Sequence, residues 1–369
     1  MNIAIVATQA VVHSAIAREL SRGHRVTVYT RRESPEGRDR MRLTPGVMVD
    51  HIPAGPPRHL PDSGLLPYLS DFSMGLQARW DRERPDVIHA HSWTGGLAAI
   101  AGSDGLGVPV TQTFHSLSHE AQAQTRLERA IGRRADAVIA TSADEESELI
   151  RLGVPRRSIS IVPGAVDIQR FHRHGPAFPR GDRSRMVHIG RLSHDGGAVT
   201  AIRALDGVPG AELLIVGGPA DGDADADPEL TLLRTLAKEL GVEGRVTFLG
   251  RIPHNAMPRL MRSADLILTL PNAVPTGTVA LEAMACGVPV IASAAGAHLD
   301  SVVDGVTGYL INPGRPAELA GRARELLADP TLRTALGYAG ADRARSRYSL
   351  ERIGRELVRV YEDALHAYA

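Results

Sequence analysis

The chain has 369 residues, 43% of them hydrophobic and 23% charged, which is more than one ordinary core organises, so two domains are the natural division. Lys+Arg and Asp+Glu both total 42; a net charge near zero excludes nucleic acid as the main partner and argues against a lipid acceptor reached through a basic face. No apolar run reaches the ~18 residues of a membrane span, and residues 1–7 start directly on a strand-like run, so the chain reads as cytoplasmic, without signal peptide or integral membrane contact. Cys286 stands alone in an apolar helical pattern and reads as a buried thiol.

In chain order, strand-like runs fall at 2–7, 25–29, 47–52, 86–90, 109–113, 137–140 and 158–162, separated by amphipathic stretches at 12–21, 66–82, 121–134 and 144–152. Val- and Ile-rich strands alternating with helices imply a parallel sheet covered on both faces. The segment 164–185, rich in Gly, Pro, His and Arg, breaks the rhythm and reads as an interdomain connection after a first domain at 1–163. A second series follows at 186–189, 211–216, 245–248, 265–269, 289–292 and 308–311, then helical stretches at 316–328 and 332–345, giving a second domain at 186–348. A last helix at 349–366, after a kink-like Arg345-Ser-Arg-Tyr348, is expected to pack back on the first domain. The expectation is α/β, with two Rossmann-like halves facing each other and ligands bound in a cleft at the carboxyl ends of their strands.

Within the second half, the turn Pro275-Thr-Gly277 is expected to feed a helix beginning near Thr278. Free N–H groups at Thr278 and Val279 would then suit a diphosphate, Gly277 allowing close backbone approach; the alternative is a glycine that merely packs tightly. Arg191 follows the first strand of that half, where its guanidinium fork suits phosphate oxygens or, alternatively, a surface salt bridge. Glu282, one helical turn further in among Ala280, Leu281, Ala283 and Met284, can reach the same place or remain a solvated carboxylate. His89 and His91 share one strand face; a metal there lacks an evident third ligand, and contact of one of them with an acceptor is preferred, so no metal is assigned. Asp221-Gly-Asp-Ala-Asp-Ala-Asp227 resembles a calcium loop only superficially, because its sixth position is Ala226 and its twelfth Leu232.

The run Ser263 to Leu310, with Asp86-Val-Ile-His-Ala-His91, Thr113-Phe-His115, Ile161-Val-Pro-Gly-Ala-Val-Asp167 followed by Phe171, and Gly190-Arg-Leu192, resembles glycosyltransferase family 4. These motifs occur in the family's order over nearly the whole chain. The resemblance implies the GT-B fold and transfer, with retention, of a sugar from a nucleoside diphosphate (UDP or GDP type) to a small polar acceptor, needing neither cofactor nor metal. It implies catalytic roles for His115, at the donor sugar, and Arg191. Donor binding falls to Gly190, Arg191, Val274, Gly277, Thr278, Val279, Arg251 and Glu282, with Glu282 on the ribose hydroxyls. Gln9, His13 and His91 fall on the acceptor side. A homodimer is kept as the candidate assembly.

Three departures stand against the family pattern. Val274 occupies the place of a first glutamate eight residues before Glu282, Gly196 that of a lysine five after Arg191, and Thr8-Gln-Ala-Val-Val-His13 lacks the glycine-rich loop. A carboxylate beside a missing sugar hydroxyl would be buried without a partner, so Val274 suits a deoxygenated or alkyl-bearing sugar, as in specialised, antibiotic-type metabolism. Rival readings are a decayed or auxiliary nucleotide-sugar-binding protein, and a pseudo-glycosyl coupling enzyme or sugar-nucleotide epimerase of the same fold.

Overall fold

The computed structural model describes residues 1–8, 14–36, 38–118, 121–218, 227–274 and 276–368. It divides into one unit of Met1–Pro163 with Leu350–Ala369 and another of Gly164–Ser349.

In the first unit β1 (Asn2–Val6), β2 (Arg25–Arg31), β3 (Arg40–Thr44), β4 (Val47–Ile52), β5 (Val87–His91), β6 (Val110–Thr113), β7 (Ala137–Ala140) and β8 (Ile159–Ile161) form a sheet in the order β3-β4-β2-β1-β5-β6-β7-β8. The strands are parallel except β3, which the sequence pattern does not announce and which pairs antiparallel with β4. Its Arg40, Met41 and Arg42 are exposed, as suits an edge strand that must not recruit another chain. Helices α1 (Ser14–Leu20), α2 (Leu69–Trp80), α3 (Ser92–Gly102), α4 (Gln122–Arg134) and α5 (Ala143–Leu152) cover the faces. The glycines that hide α3 from a propensity reading have a packing reason. A Cβ on Gly95 would come within 3.0 Å of the Val6 carbonyl, and one on Gly96 within 2.2 Å of Gln112 Oε1, so the helix lies directly on the sheet.

The second unit carries β9 (Ser184–Ile189), β10 (Ala211–Val216), β11 (Val246–Gly250), β12 (Leu266–Thr269), β13 (Val290–Ser293) and β14 (Gly308–Ile311), all parallel in the order β11-β10-β9-β12-β13-β14. Its helices are α6 (Ala198–Asp206), α7 (Pro228–Glu239), α8 (Met257–Met261), α9 (Thr278–Ala285), α10 (Ala297–Ser301), α11 (Pro316–Ala328) and α12 (Pro330–Tyr348). Buried aliphatics lie on both faces of this sheet, one set led by Leu213, Ile215, Leu266 and Leu268, the other by Val187, Ile267, Leu281 and Met284. Residues 164–185 belong to this unit: Phe171 is buried in its core, and Phe178 donates its amide to Arg259. The expected kink at 345–348 is helical, and the chain leaves α12 one residue later, at Ser349 (ψ 146°).

The last helix, α13 (Leu350–Tyr368), returns to the first unit through the face Ile353, Gly354, Leu357, Val360, Tyr361 and Ala364. Gly354 lies against Glu19 of α1, and the buried Tyr361 hydroxyl bonds His89 Nδ1 at 2.7 Å.

Burial sets the charge of three histidines, lowering His115, His188 and His298 each to a pKa of about 4. Each ring is neutral in the folded chain at pH 7 and takes up its proton more readily when unfolded, near pH 6.5. Their contribution to stability is therefore complete above pH 6.5 and is lost as pH falls toward 4, by at most about 1.4 kcal/mol per pH unit for each histidine. Urea denaturation at a series of pH values should show this decline between pH 6.5 and 4; a flat profile there would contradict neutral burial.

Candidate active site

In the second unit the carboxyl ends of β9, β10 and β12 are joined by backbone contacts into one surface. After β9 the chain runs Gly190-Arg191-Leu192 into a short turn at His194–Gly196. The Asn272 amide donates to the Asp195 carbonyl at 2.9 Å, tying this turn to the segment after β12. That segment reaches Val274, whose carbonyl accepts the Ala297 amide at 2.9 Å, bringing in the start of α10. From Thr276 the chain turns at Gly277, in the left-handed conformation (φ 62°), and enters α9.

The left-handed turn, more than crowding, explains Gly277: an added Cβ would meet Ala297, His298 and Ser301 only at 3.5 Å. The first N–H groups of α9 have no carbonyl one turn earlier to bond, so its entry offers donors and a partial positive charge. Ser301 Oγ, beside Gly277, is buried without a hydrogen-bond partner among the described residues. The Thr276 and Thr278 hydroxyls bond each other at 2.9 Å.

Glu282 is the buried carboxylate of this surface, its side chain 9% exposed. It is not solvated: Oε1 accepts from His254 Nε2 at 2.9 Å, and His254 Nδ1 lies 2.8 Å from Arg170 Nη1. Glu282 raises the His254 pKa, first through that hydrogen bond and then through its charge, against burial and Arg170. Sequence reading missed His254 and Arg170 because each is far in sequence from the glutamate and neither falls in a motif of charged residues.

Arg191, 75% exposed, already has an acidic partner, donating from Nη2 to Asp195 Oδ2 at 3.0 Å. The Ser193 hydroxyl and then Arg191 hold the Asp195 carboxyl below the usual carboxylate range. Arg251 donates to the Gly218 carbonyl at 3.0 Å and braces the end of β10, bonding neither Glu282 nor Arg191 among the described residues. Val274 is buried, and Val279 is partly buried against the core.

The glycine in place of lysine is built into the backbone. A Cβ on Gly196 would stand 1.9 Å from the Arg191 carbonyl oxygen. Gly197 has φ 88°, and its Cβ would lie 2.4 Å from Leu270. Gly190 and Gly217 are as close: a Cβ on Gly217 would come within 1.9 Å of the Gly190 carbonyl.

The first unit holds the other expected residues. His115 follows β6 with φ 66°, half-buried, its Nε2 2.8 Å from His91 Nδ1, the two rings stacked. Both nitrogens of His89 are engaged, by Tyr361 and by Thr113 Oγ1 at 2.8 Å, so His89 is a structural link to α13. Among the described residues no group of three or more His, Cys, Asp or Glu side chains could hold a metal. Gln9, His13 and 221–226 lie outside the described residues; Asp227 caps α7 through the Glu229 and Leu230 amides.

Comparison with known proteins decides the family. Residues 173–343 match the family described as glycosyl transferases group 1, and residues 8–165 the glycosyl transferase 4-like domain. D-inositol 3-phosphate glycosyltransferase 1 of Catenulispora acidiphila is 33% identical over 93% of this chain and 87% of its own. The chain belongs to the family 4 glycosyltransferases. The D-inositol 3-phosphate glycosyltransferase of Acidothermus cellulolyticus is 34% identical over 95% of this chain and 84% of its own. Among solved structures, sucrose-phosphate synthase from Thermosynechococcus elongatus matches with a TM-score of 0.87 and 27% identity over 99% of both chains. HepE of Anabaena, in complex with UDP-glucose, matches with a TM-score of 0.80 and 22% identity over 98% of this chain and 100% of that one. The fold is that of the GT-B glycosyltransferases. This family 4 enzyme is a glycosyltransferase that uses a nucleotide-sugar donor. No helix among its described residues is long and apolar enough to cross a membrane.

Substituting lysine for Gly196 should not restore a phosphate-binding cation. Gly196→Lys and Gly196→Ala should lower Tm alike, because the clash is at Cβ; a lysine variant as stable as the parent would show that the turn can rearrange.

Proposed function

We propose that this enzyme moves a deoxygenated or alkyl-bearing sugar from a nucleoside diphosphate, UDP or GDP in type, to a small polar acceptor in specialised metabolism. Transfer proceeds with retention and without a metal or other cofactor. The observation that carries the reading is the pairing, in one helix, of an uncapped left-handed entry at Gly277 with the buried carboxylate of Glu282 one turn inside. An anion at the entry and a hydroxylated ring at the carboxylate are the two halves of a nucleoside diphosphate.

In this reading the N–H groups of Thr278 and Val279, with Arg191, stabilise the departing diphosphate. Gly190 and Gly196 let the backbone approach it, and Glu282 accepts a ribose hydroxyl. Asp195 tempers Arg191, so helix dipole and amides carry more of the charge than in an enzyme with the usual lysine. A donor phosphate oxygen takes the acceptor proton as the acceptor oxygen bonds the anomeric carbon on the face from which the nucleoside diphosphate departs, and no protein nucleophile is assigned. His115 is assigned to the sugar: its burial keeps the ring neutral, which suits hydrogen bonding and leaves no imidazolium to repel an oxocarbenium-like sugar. His91 fixes the orientation of His115. The acceptor is a polar small molecule; the relatives' names give an inositol phosphate as theirs.

Val274 carries the sugar assignment. It is 7% exposed where a family member has a glutamate, and Gly296 runs so close that its Cβ would lie 2.4 Å from the Val274 carbonyl. An isolated carboxylate placed there would be desolvated at a cost of several kcal/mol unless a sugar hydroxyl met it.

Three measurements test the function. Glu282→Ala should weaken nucleoside diphosphate binding by about 1–3 kcal/mol in calorimetry while the fold survives, and unchanged affinity would remove Glu282 from the ribose. Turnover of the parent and Val274→Glu should be compared across hydroxylated and deoxygenated donors, with the parent preferring the deoxygenated ones. A mutant faster with every donor would instead indicate a decayed reaction centre. Arg191→Lys should retain little of the parent's turnover, since a point charge does not reproduce the guanidinium fork; a parent-like rate would place the phosphates elsewhere.

A further inference from the structure

Asp167, Arg170 and Phe171 have no part in the reaction as drawn, yet they form the base of a relay that ends on Glu282. Asp167 closes a tight turn: its carboxylate accepts the Gln169 amide at 3.0 Å, and its carbonyl accepts the Phe171 amide at 2.8 Å. The turn sends Phe171 into the core, 5.2 Å from the His254 ring, and points Arg170 at His254 Nδ1. A guanidinium has only donors, so Nδ1 is the bare nitrogen of the ring. Nε2 then carries the hydrogen that Glu282 Oε1 accepts at 2.9 Å. Ring packing on one side and Arg170 on the other favour the neutral Nε2–H tautomer and that direction of the hydrogen bond, on a ring whose side chain is 59% exposed.

The consequence concerns how many pentose hydroxyls the carboxylate can read. A vicinal diol engages a carboxylate fully by giving one hydroxyl to each oxygen. Here Oε1 is already taken by a neighbour in the protein, and no other described residue bonds the carboxylate, which leaves Oε2 for a ligand. The Glu282 side chain is 9% exposed, which leaves little room for a second hydroxyl to approach Oε1 beside the imidazole.

We propose that His254 is a positioning residue that sets donor specificity: held by Arg170 and Phe171, it occupies Oε1 of Glu282, so the carboxylate reads a single pentose hydroxyl and the enzyme accepts ribonucleoside and one class of deoxyribonucleoside diphosphate alike. The inference rests on the assignment of Glu282 to the pentose made above. His254 touches neither sugar nor phosphate in this scheme; it acts only through the carboxylate.

The test is equilibrium binding of UDP, GDP and ADP, each with its 2′-deoxy and 3′-deoxy analogue, to the full-length parent, Glu282→Gln, His254→Ala and His254→Gln. In the parent, one of the two deoxy analogues should bind within about threefold of the ribonucleotide, while the other loses roughly tenfold or more, the loss of one hydrogen bond to a charged group. His254→Ala frees Oε1, and both analogues should then lose tenfold. His254→Gln keeps an N–H donor at similar reach and should restore the parent's tolerance, which a merely structural role for His254 would not produce. If both analogues lose tenfold in the parent while Glu282→Gln also binds weakly, Glu282 stays on the pentose and the His254 clamp is overturned. If Glu282→Gln and both deoxy analogues bind the same as their references, the pentose assignment itself fails. Parent-like selectivity in His254→Ala would equally overturn the proposal.

Discussion

A carboxylate buried in a helix must be given a hydrogen-bond donor, and in the second unit that requirement organises residues from three separated stretches of chain. Glu282 sits on α9 among Leu281, Ala283 and Met284, which anchor the helix to the sheet, so its position is fixed by aliphatic packing. His254, after β11, supplies the donor, and Arg170, before β9, favours the hydrogen on the ring nitrogen that faces Glu282. The segment 164–185, whose composition suggests a loose connection, is therefore fastened through Arg170 and His254 to Glu282. The result is a carboxylate with one oxygen spoken for and one left over, poised on the same helix whose entry offers free amides.

The departures from the family pattern are of different physical kinds. Val274 is a side-chain replacement in a buried position and leaves the backbone able to host other residues at some energetic cost. Gly196 is a backbone solution, because the Arg191 carbonyl occupies the space in which a Cβ would lie. A lysine side chain does not fit this turn as it stands, and Asp195 beside Gly196 carries a negative charge paired to Arg191. The packed glycines and the Arg191–Asp195 ion pair make this turn an ordered part of the fold.

In the first unit the histidines divide by partner. His89 spends both nitrogens on Tyr361 and Thr113 and so joins β5, β6 and α13 into one core. His91 and His115 stack and share a hydrogen bond at the end of the same strands, with His115 held at a positive φ that a non-glycine residue adopts only under strong local constraint. The positive φ and the stacked neighbour are the observations on which the role proposed for His115 rests.

The sequence by itself determined the alternation of strands and helices, the two-part division of the chain, the helix that starts at Thr278 and the family. These follow from local hydrophobic period and from motifs only a few residues long, which need no tertiary information. It did not reveal the antiparallel β3, whose exposed, arginine-bearing strand has no buried face to impose a pattern, nor α3, whose glycines lower helix propensity for a reason visible only where Val6 and Gln112 press on them. It named Glu282, Arg191 and His115 but not their states: that Glu282 is bound to His254, Arg191 is paired to Asp195, and His115 is neutral against His91. Hydrogen bonds such as Glu282 to His254 join residues 28 apart in the chain, and that at His89 spans 272. Only the folded backbone brings such pairs within 3 Å, because burial and distance, unlike periodicity, are properties of the whole packed unit.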